Sequence, residues 1–208
     1  MACRLYIVRH GETVWNNTLR YQGHADIPLN ARGIEQAHSL GRRLRKEKFD
    51  GFYASDLRRA YDTGSIIASY QGGKVEARPA LREINFGRWE GLTRDEIRRR
   101  FSQIAEQWWR TPLTTRLPEG ETLQEVVERA VREIKEIAER HPQGKVLIVS
   151  HGGTIRASIG YLLGLDLNNY WRLRQDNGAL NIVDYQDEDR AILVLFNDTS
   201  HLELVHNC

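Results

Sequence analysis

Two histidines occupy the same kind of position in the chain. The apolar stretch "LYIVRHG" ends on His10, and "VLIVSHGG" ends on His151, with glycine next in each case. In open α/β sheets, ligands bind beyond the carboxyl ends of the strands. One His-Gly after a strand would be an ordinary turn. Two such ends predict that both imidazoles face one ligand, with glycines that let backbone N–H groups approach it closely.

The sequence does not support a metal site around these histidines. HExxH is absent, and His10-Gly11-Glu12 resembles a deaminase H-x-E without the PCxxC that accompanies it. We therefore expect no metal and no organic cofactor. A nucleophilic imidazole remains, which favours phosphoryl transfer. That chemistry needs cations around the phosphoryl oxygens, and Arg9 beside His10 and Arg59 in "SDLRRAYDT" are the candidates.

Composition excludes several classes of protein. The net charge is only +2, from 30 Lys and Arg against 28 Asp and Glu, so a general nucleic-acid binder is not expected. No run approaches the ~20 apolar residues of a membrane span, and the N-terminus lacks a signal core. We expect a soluble cytoplasmic protein with no membrane partner. Cys3 and Cys208 lie at opposite ends, and free thiols are favoured over a disulfide between them.

Alternating strand and helix patterns indicate how these side chains are positioned. Strands are predicted at 3–9, 51–55 and 145–150, with "KVEAR" as a further candidate. Helices are predicted between them: one carries Ile34 and Leu40 on an apolar face, and two start at the capping boxes of Thr93 and Thr122. The longest carries the apolar stripe Leu123, Val126, Val127, Ala130, Ile134, Ile137 and Ala138.

This pattern predicts one α/β domain over 1–208. We expect a three-layer α/β/α sandwich around a mostly parallel central sheet. "ALNIVDY" and "RAILVLF", separated by the acidic turn "QDED", predict an antiparallel edge. The stretch 102–120 is the least regular and is interpreted as a small lid insertion.

The ordered motifs "VRHGET", "YQG", "SDLRRAYDT", "LREINFGRWEG" and "VSHGGT" resemble those of the histidine phosphatase superfamily, also called phosphoglycerate mutase-like. The resemblance implies that His10 becomes phosphorylated and that Glu83 is the proton donor. Its pattern S-x-L-x-R-A selects Arg59 rather than Arg58, which would be surface-exposed. It implies a phosphate- and substrate-binding set that consists of Arg9, Asn16, Gln22, Gly23, Arg59, Glu83, His151 and Gly152.

Ordinary pKa values set two requirements on this chemistry. An attacking His10 must be neutral, and its usual pKa of ~6.5 should be lowered further by Arg9 and Arg59. His151 should donate to the phosphoryl oxygens. A glutamate with a usual pKa of ~4.3 rarely holds a proton at pH 7, so burial or the substrate's negative charge must protonate Glu83.

Three functions remain open at this point: a phosphomonoesterase, a phosphoglycerate mutase and a non-catalytic phosphate-binding module. The module is disfavoured because all the catalytic residues are present. "INFGRWEGLT" resembles the phosphatase branch and favours the esterase. The run "FGxWEGLT" is similar to α-ribazole and broad-specificity phosphatases, which implies a small phosphate monoester as substrate. We expect a monomer or a homodimer.

Four further side chains have open roles. His24 and His201 could face the substrate cleft. Trp108 and Trp109 could stack on an aromatic substrate, although packing is the simpler interpretation. Specificity is expected in the 102–120 stretch and in the loop that contains His24.

Overall fold

A six-stranded sheet is the centre of the molecule. The computed structural model describes residues 2–187 and 190–203. The strands are β1 (Cys3–Arg9), β2 (Gly51–Ala54), β3 (Val75–Ala77), β4 (Lys145–Ser150), β5 (Leu180–Asp187) and β6 (Arg190–Asp198), in the order β3-β2-β4-β1-β5-β6. The first four are parallel, β5 is antiparallel to β1, and β6 is antiparallel to β5. The predicted fold class and its antiparallel edge are confirmed. Cys208, and residues 188 and 189 of the predicted turn, lie outside the described residues.

Helices connect the strands. They are α1 (Val14–Asn17), α2 (Ala31–Leu44), α3 (Arg58–Ser69), α4 (Arg94–Arg100), α5 (Ser102–Arg110), α6 (Leu123–Arg140), α7 (Gly152–Leu162) and α8 (Ser200–Glu203), with 3-10 turns at Pro79–Leu81, Gly87–Trp89 and Leu167–Arg172. Both predicted capping boxes form, since the hydroxyls of Thr93 and Thr122 accept from the backbone N–H three residues later. Within 2–187 and 190–203, the helices are all too short or too polar to cross a membrane.

Two apolar cores cover the two faces of the sheet. Successive side chains of β1 alternate between them: Leu5 and Ile7 pack in the core that contains residues of α6 and α7. Tyr6 and Val8 pack in the other core, with residues of α2 and α3. A strand buried on both faces must be apolar throughout, which explains the nearly unbroken runs in β1 and β4. The result is three layers.

The stretch 102–120 is more regular than its sequence suggested. Its first half forms α5, in which Ala105 and Trp108 are fully buried. Trp108 packs edge-to-face on Trp89, with the ring centroids 6.3 Å apart. The prediction of irregular structure is therefore wrong for 102–110, because burial of one large aromatic stabilises this short helix. The lid itself stays a prediction.

Candidate active site

His10 and His151 meet at the carboxyl ends of neighbouring parallel strands. β1 and β4 pair with Arg9 opposite Ser150, so the residue after each strand lies at the same sheet edge. The His10 N–H donates to Ser150 O at 3.0 Å. The two imidazole centroids are 5.1 Å apart, and both rings are buried. The sheet therefore brings together the two histidines that the sequence singled out.

The backbone fixes which nitrogen of His10 carries the proton. Nδ1 lies 2.6 Å from Gly11 O. Since a carbonyl only accepts, Nδ1–H is the donor, and the lone pair of the neutral ring is on Nε2. Burial lowers the pKa of His10 well below 6.5, and the charges of Arg59 and Arg9 lower it further. His10 is thus a neutral imidazole with a lone pair at Nε2, as a nucleophile requires.

Close backbone packing holds the loop after His10. A Cβ on Gly11 would lie 2.3 Å from Gly33 O, and one on Gly33 would lie 2.2 Å from Glu12 O. Gly11 has no positive φ, and its N–H donates to Thr63 Oγ1 at 3.1 Å. Gly11 is needed for this contact with α2 and does not present its N–H to a ligand. The same packing leaves Ile34 exposed, so the prediction that it faces the core is wrong.

His151 has an unusual environment. It is fully buried, and neither Nδ1 nor Nε2 has a hydrogen-bond partner among the residues described. Burial lowers its pKa well below 6.5, followed by the charge of Arg59. A buried polar group without a partner costs roughly 1–3 kcal/mol. An oxyanion that accepts from His151 would remove this cost.

Arg59 is buried, and two backbone carbonyls orient it. Nη2 donates to Gly23 O at 2.7 Å and Nη1 donates to Ala25 O at 2.8 Å. Nε is buried and has no partner in the described part of the chain. Desolvation lowers the pKa of Arg59 to about 10, so it remains a cation at neutral pH. Arg58 is exposed, as expected.

A backbone carbonyl also orients Arg9. Nη1 donates to Gln175 O at 2.5 Å, and Nε is a second buried donor without a partner in the residues described. Gln175 is fixed by a reciprocal amide pair with Asn181, with distances of 2.7 and 3.0 Å. Asn181 Nδ2 also donates to Ile7 O of β1 at 3.0 Å. Desolvation lowers the pKa of Arg9 to about 10.

The loop with "YQG" supports Arg59 and contributes a polar group. Gln22 is buried, and its Oε1 has no partner in 2–187 and 190–203. Gly23 has φ +54, and a Cβ there would lie 2.1 Å from Glu90 Oε1. The same Oε1 accepts from His24 N at 2.7 Å, and His24 Nε2 lies 3.0 Å from Glu83 O. His24 therefore adjoins the proposed proton donor.

Asn16 lies at the other rim of the loop that follows His10. Its Oδ1 accepts from Thr13 N at 3.0 Å and closes the capping box of α1. Asn177 Nδ2 is 3.3 Å from the same oxygen and donates to His10 O at 3.1 Å. Because Oδ1 of Asn16 already accepts these hydrogen bonds, the Nδ2–H groups of its side chain are the part that can donate to a ligand.

Glu83 binds the first turn of α7. Gly153 N donates to Oε2 and Thr154 N to Oε1, both at 3.1 Å. The helix therefore begins at Gly152, directly after His151, with a carboxylate at its positive end. Glu83 is half-buried.

Arg129 of α6 fixes the backbone around Glu83 through hydrogen bonds. Arg129 donates to Ala80 O at 2.7 Å, to Arg82 O at 2.8 Å and to Glu83 O at 2.8 Å. Its Nε also pairs with Glu121 Oε1 at 2.8 Å. Glu121 in turn accepts from Asn85 N at 2.8 Å. Both sides of Glu83 are therefore anchored to this ion pair.

Three side chains with open roles are held by contacts within the protein. His201 is buried, with Nε2 3.0 Å from Gly178 O and Nδ1 2.9 Å from Arg43. Trp108 is fully buried in the core. The Trp109 ring has Arg94 at 4.6 Å and Arg98 at 5.3 Å. His201 is therefore held inside the protein, the simpler interpretation of packing applies to Trp108, and Trp109 packs against two arginines.

Several residues that shape the site were missed from the sequence. They lie outside the motifs, and only the fold brings them to the site. These residues are Gln175, Asn177, Asn181, Arg129 and Gly33. The buried Asn in "ALNIVDY" was the one available signal, since an amide within an apolar strand needs partners. Among the described residues, no cluster of three His, Cys, Asp or Glu could hold a metal ion.

The geometry matches a pocket for a tetrahedral oxyanion. A neutral imidazole with a free lone pair faces a second imidazole, between two arginines that each retain an unpartnered Nε–H. Charged planar forks bind phosphate oxygens bidentately, in a buried setting where such bonds are strong. A carboxylate on an adjoining helix end can exchange a proton with a group bound there.

Known proteins are similar to this chain over nearly its whole length. The family profile described as Histidine phosphatase superfamily (branch 1) matches residues 5–199. Phosphoserine phosphatase 1 from Hydrogenobacter thermophilus is 33% identical over 199 residues, which is 96% of this chain and 94% of that protein. "Probable phosphoglycerate mutase GpmB" from Yersinia pestis is 35% identical over 205 residues, 97% of this chain and 95% of that protein. The crystal structure of the α-ribazole phosphatase from Shigella flexneri matches with a TM-score of 0.84 and 33% identity, covering 94% of this chain and 96% of that one.

Proposed function

Because the chain belongs to the histidine phosphatase superfamily, we propose that it hydrolyses small phosphate monoesters through a phosphohistidine on His10. One observation carries this proposal: the buried pair of imidazoles lies at the carboxyl ends of β1 and β4, within reach of the charges of Arg9 and Arg59. The similarity to a phosphoserine phosphatase and to an α-ribazole phosphatase supports hydrolysis as the outcome.

The first half-reaction forms the phosphohistidine. Nε2 of His10 attacks the phosphorus atom, and the bond from phosphorus to the ester oxygen breaks. Glu83 gives its proton to that oxygen, which leaves as an alcohol. Arg9, Arg59 and His151 donate to the three phosphoryl oxygens as charge redistributes. We propose that the negative charge of the bound substrate favours the protonated form of Glu83, which takes its proton from solvent.

The second half-reaction reverses the role of Glu83. Its carboxylate takes a proton from a water molecule, and the resulting hydroxide attacks the phosphorus atom of phosphohistidine. The bond from phosphorus to Nε2 breaks, inorganic phosphate forms, and Glu83 is protonated for the next turnover. The Nδ1–H bond to Gly11 O holds the ring in place through both steps.

Phosphoglycerate mutase is the second candidate, favoured by the 35% identity to GpmB. A mutase must keep its phosphoryl group away from water and return it to another hydroxyl. In this chain only ten residues, with one 3-10 turn at Gly87–Trp89, separate Glu83 from the start of α4 at Arg94. This short connection favours an open site and hydrolysis. 31P NMR with 3-phosphoglycerate and 2,3-bisphosphoglycerate distinguishes the two, since 2-phosphoglycerate formed faster than phosphate would establish the mutase.

The covalent intermediate provides the direct test. Brief incubation with a 32P-labelled ester followed by alkaline quench should trap an acid-labile label on the wild type, and His10→Ala should abolish both label and turnover. Glu83→Gln should lose most turnover and still bind vanadate. Arg59→Ala against Arg58→Ala is a matched pair of neighbours, one buried and one exposed. Equal loss in both, or an acid-stable label, would contradict the proposal.

The partner, location and oligomeric state of the enzyme belong to the same proposal. We propose a small-molecule phosphate monoester as its only partner, in the cytoplasm, with a monomeric or homodimeric state. The nearly balanced charge of +2 disfavours a polyanion such as nucleic acid as substrate.

A further inference from the structure

A third arginine, Arg156, lies on the turn of α7 that binds Glu83. Its Nε donates to Gly152 O at 3.0 Å, while Gly153 and Thr154 donate to the Glu83 carboxylate. Arg156 therefore contacts the same end of α7 that binds the carboxylate of Glu83. If Glu83 protonates the departing oxygen, Arg156 lies on the side of the site where the rest of the leaving group must be.

Two aromatic rings fix the guanidinium of Arg156. Its central carbon is 4.8 Å from the ring centroid of Tyr170 and 5.2 Å from that of Trp171. Cations over aromatic faces are held by about 0.5–2 kcal/mol. Tyr170 is buried, and Trp171 is half-buried against the core. The rings orient the group without neutralising its charge.

The charge of Arg156 reaches the phosphate pocket. Desolvation lowers the pKa of Arg9 to about 10, Glu83 raises it, and Arg156 lowers it. Burial also raises the pKa of Tyr21, and Arg94 and Arg156 lower it. Arg156 thus lies within electrostatic range of both Arg9, the arginine beside His10, and Tyr21.

Arg156 lacks the acidic partner that comparable arginines have. Arg82 pairs with Asp56, and Arg129 with Glu121. Over 2–187 and 190–203, no Asp or Glu lies within salt-bridge distance of Arg156, and its only hydrogen bond in that part of the chain uses Nε. The Nη groups of a half-buried, ring-oriented guanidinium are therefore available to an anion.

We propose that Arg156 binds a carboxylate on the leaving group, so that the preferred substrates are phosphate esters of small hydroxy acids. This inference rests on the proposed function. A guanidinium fork matches the two oxygens and the single negative charge of a carboxylate. A second phosphate dianion would need more cations than Arg156 alone, since Arg9 and Arg59 are committed to the transferred group.

Matched substrates test this assignment without changing the phosphoryl group. 3-Phosphoglycerate has a carboxylate where glycerol 3-phosphate has a hydroxymethyl group. Phosphoserine and phosphoethanolamine differ by a carboxylate alone. For the wild type, kcat/KM should be about 10- to 100-fold higher for the acid in each pair, as a charged hydrogen-bonded pair would give. The difference should lie mainly in KM, because the carboxylate is bound equally before and during the reaction.

Variants of Arg156 then assign the preference to this side chain. Arg156→Gln should bring the ratio within each pair close to one, and Arg156→Lys should restore part of it. Arg99→Gln, on the exposed face of α4, is the control and should keep the wild-type ratios. Circular dichroism and thermal unfolding check that each variant folds. If Arg156→Gln does not fold, the ratios of kcat/KM measured on the wild type still test the proposal.

The outcomes separate the two proposals. A wild type that hydrolyses p-nitrophenyl phosphate and all four esters at similar kcat/KM would overturn the role of Arg156 and leave the phosphatase intact. So would Arg156→Gln with unchanged ratios, or a stronger preference for a bisphosphate than for either acid. A wild type that hydrolyses no ester would overturn the proposed function itself.

Discussion

Gly153→Ala should lower turnover by displacing Glu83, in an enzyme that still folds. A Cβ on Gly153 would lie 2.5 Å from Glu83 Oε1 and 2.7 Å from Ile84 Cδ1. The first distance is about 0.9 Å short of the 3.4 Å at which ordinary van der Waals contact begins. Glu83 ends in a flexible carboxylate, so it can give way, but it must then leave its 3.1 Å bonds to Gly153 N and Thr154 N.

The expected cost falls on turnover. A displacement near 1 Å of a catalytic group can reduce rate by about 100-fold, which corresponds to ~2.7 kcal/mol in activation free energy. The free energy of unfolding should fall by about 1–3 kcal/mol, because the fully buried side chain of Ile84 must also move away from the new Cβ. Losing the carboxylate at the helix end costs about 0.3–1 kcal/mol, while replacing glycine by alanine within a helix gains about the same. We expect kcat to fall 30- to 100-fold, with a Tm about 2–12 °C below that of the wild type, so that the variant stays folded in an assay at 25 °C.

Steady-state kinetics with p-nitrophenyl phosphate, paired with thermal unfolding, measures both quantities. Gly64→Ala in α3 is the matched control, because its Cβ would meet Ala54 and Val149 at an ordinary 3.4 Å. It should keep wild-type kcat. A Gly153→Ala enzyme with wild-type kcat would refute the reasoning, since Glu83 would then work equally well from a displaced position.

Three further predictions concern the nucleophile, its arginine and metals. At pH 6, 15N NMR should show His10 as a neutral Nδ1–H ring, because its pKa is lowered; an imidazolium would contradict this. The lowered pKa also means that stability falls as pH drops below about 6.5, where the unfolded chain takes up protons that the folded one excludes, which urea titrations at several pH values can measure. Asn181→Leu leaves the Gln175 amide unpaired and should destabilise the fold by about 1–3 kcal/mol and weaken vanadate binding through Arg9; unchanged binding would exclude this positioning role. EDTA should leave turnover intact, and loss restored by a divalent ion would contradict metal-independent hydrolysis.

The regular elements could be predicted because each is specified by local pattern. β1 and β4 are apolar runs, and α6 combines a capping box with an unbroken stripe, so their bounds match closely. The helix α5 was missed because its stability comes from Trp108, whose packing partner Trp89 is distant in the chain. The exposure of Ile34 was missed because backbone contact between Gly11 and Gly33 sets the rotation of α2, and no periodicity reveals such contact.

The candidate site divides in the same way. His10 and His151 could be placed together because both end parallel strands, and this needs only the topology of the sheet. The bonds that orient them could not be foreseen. Arg9 depends on the carbonyl of Gln175, and Gln175 depends on Asn181 in β5. The first of these contacts joins residues 166 positions apart, for which a single sequence carries no pairwise signal.

The Arg129–Glu121 ion pair connects the end of the 102–120 stretch to the backbone around Glu83. Glu121 follows directly on the 102–120 stretch, and Arg129 grips the carbonyls of Ala80, Arg82 and Glu83. Any displacement of that stretch at its carboxyl end is therefore transmitted to the backbone of Glu83. Substitutions at the end of the 102–120 stretch that displace Glu121 should therefore shift Glu83 and slow its proton transfer, unless the ion pair with Arg129 is kept.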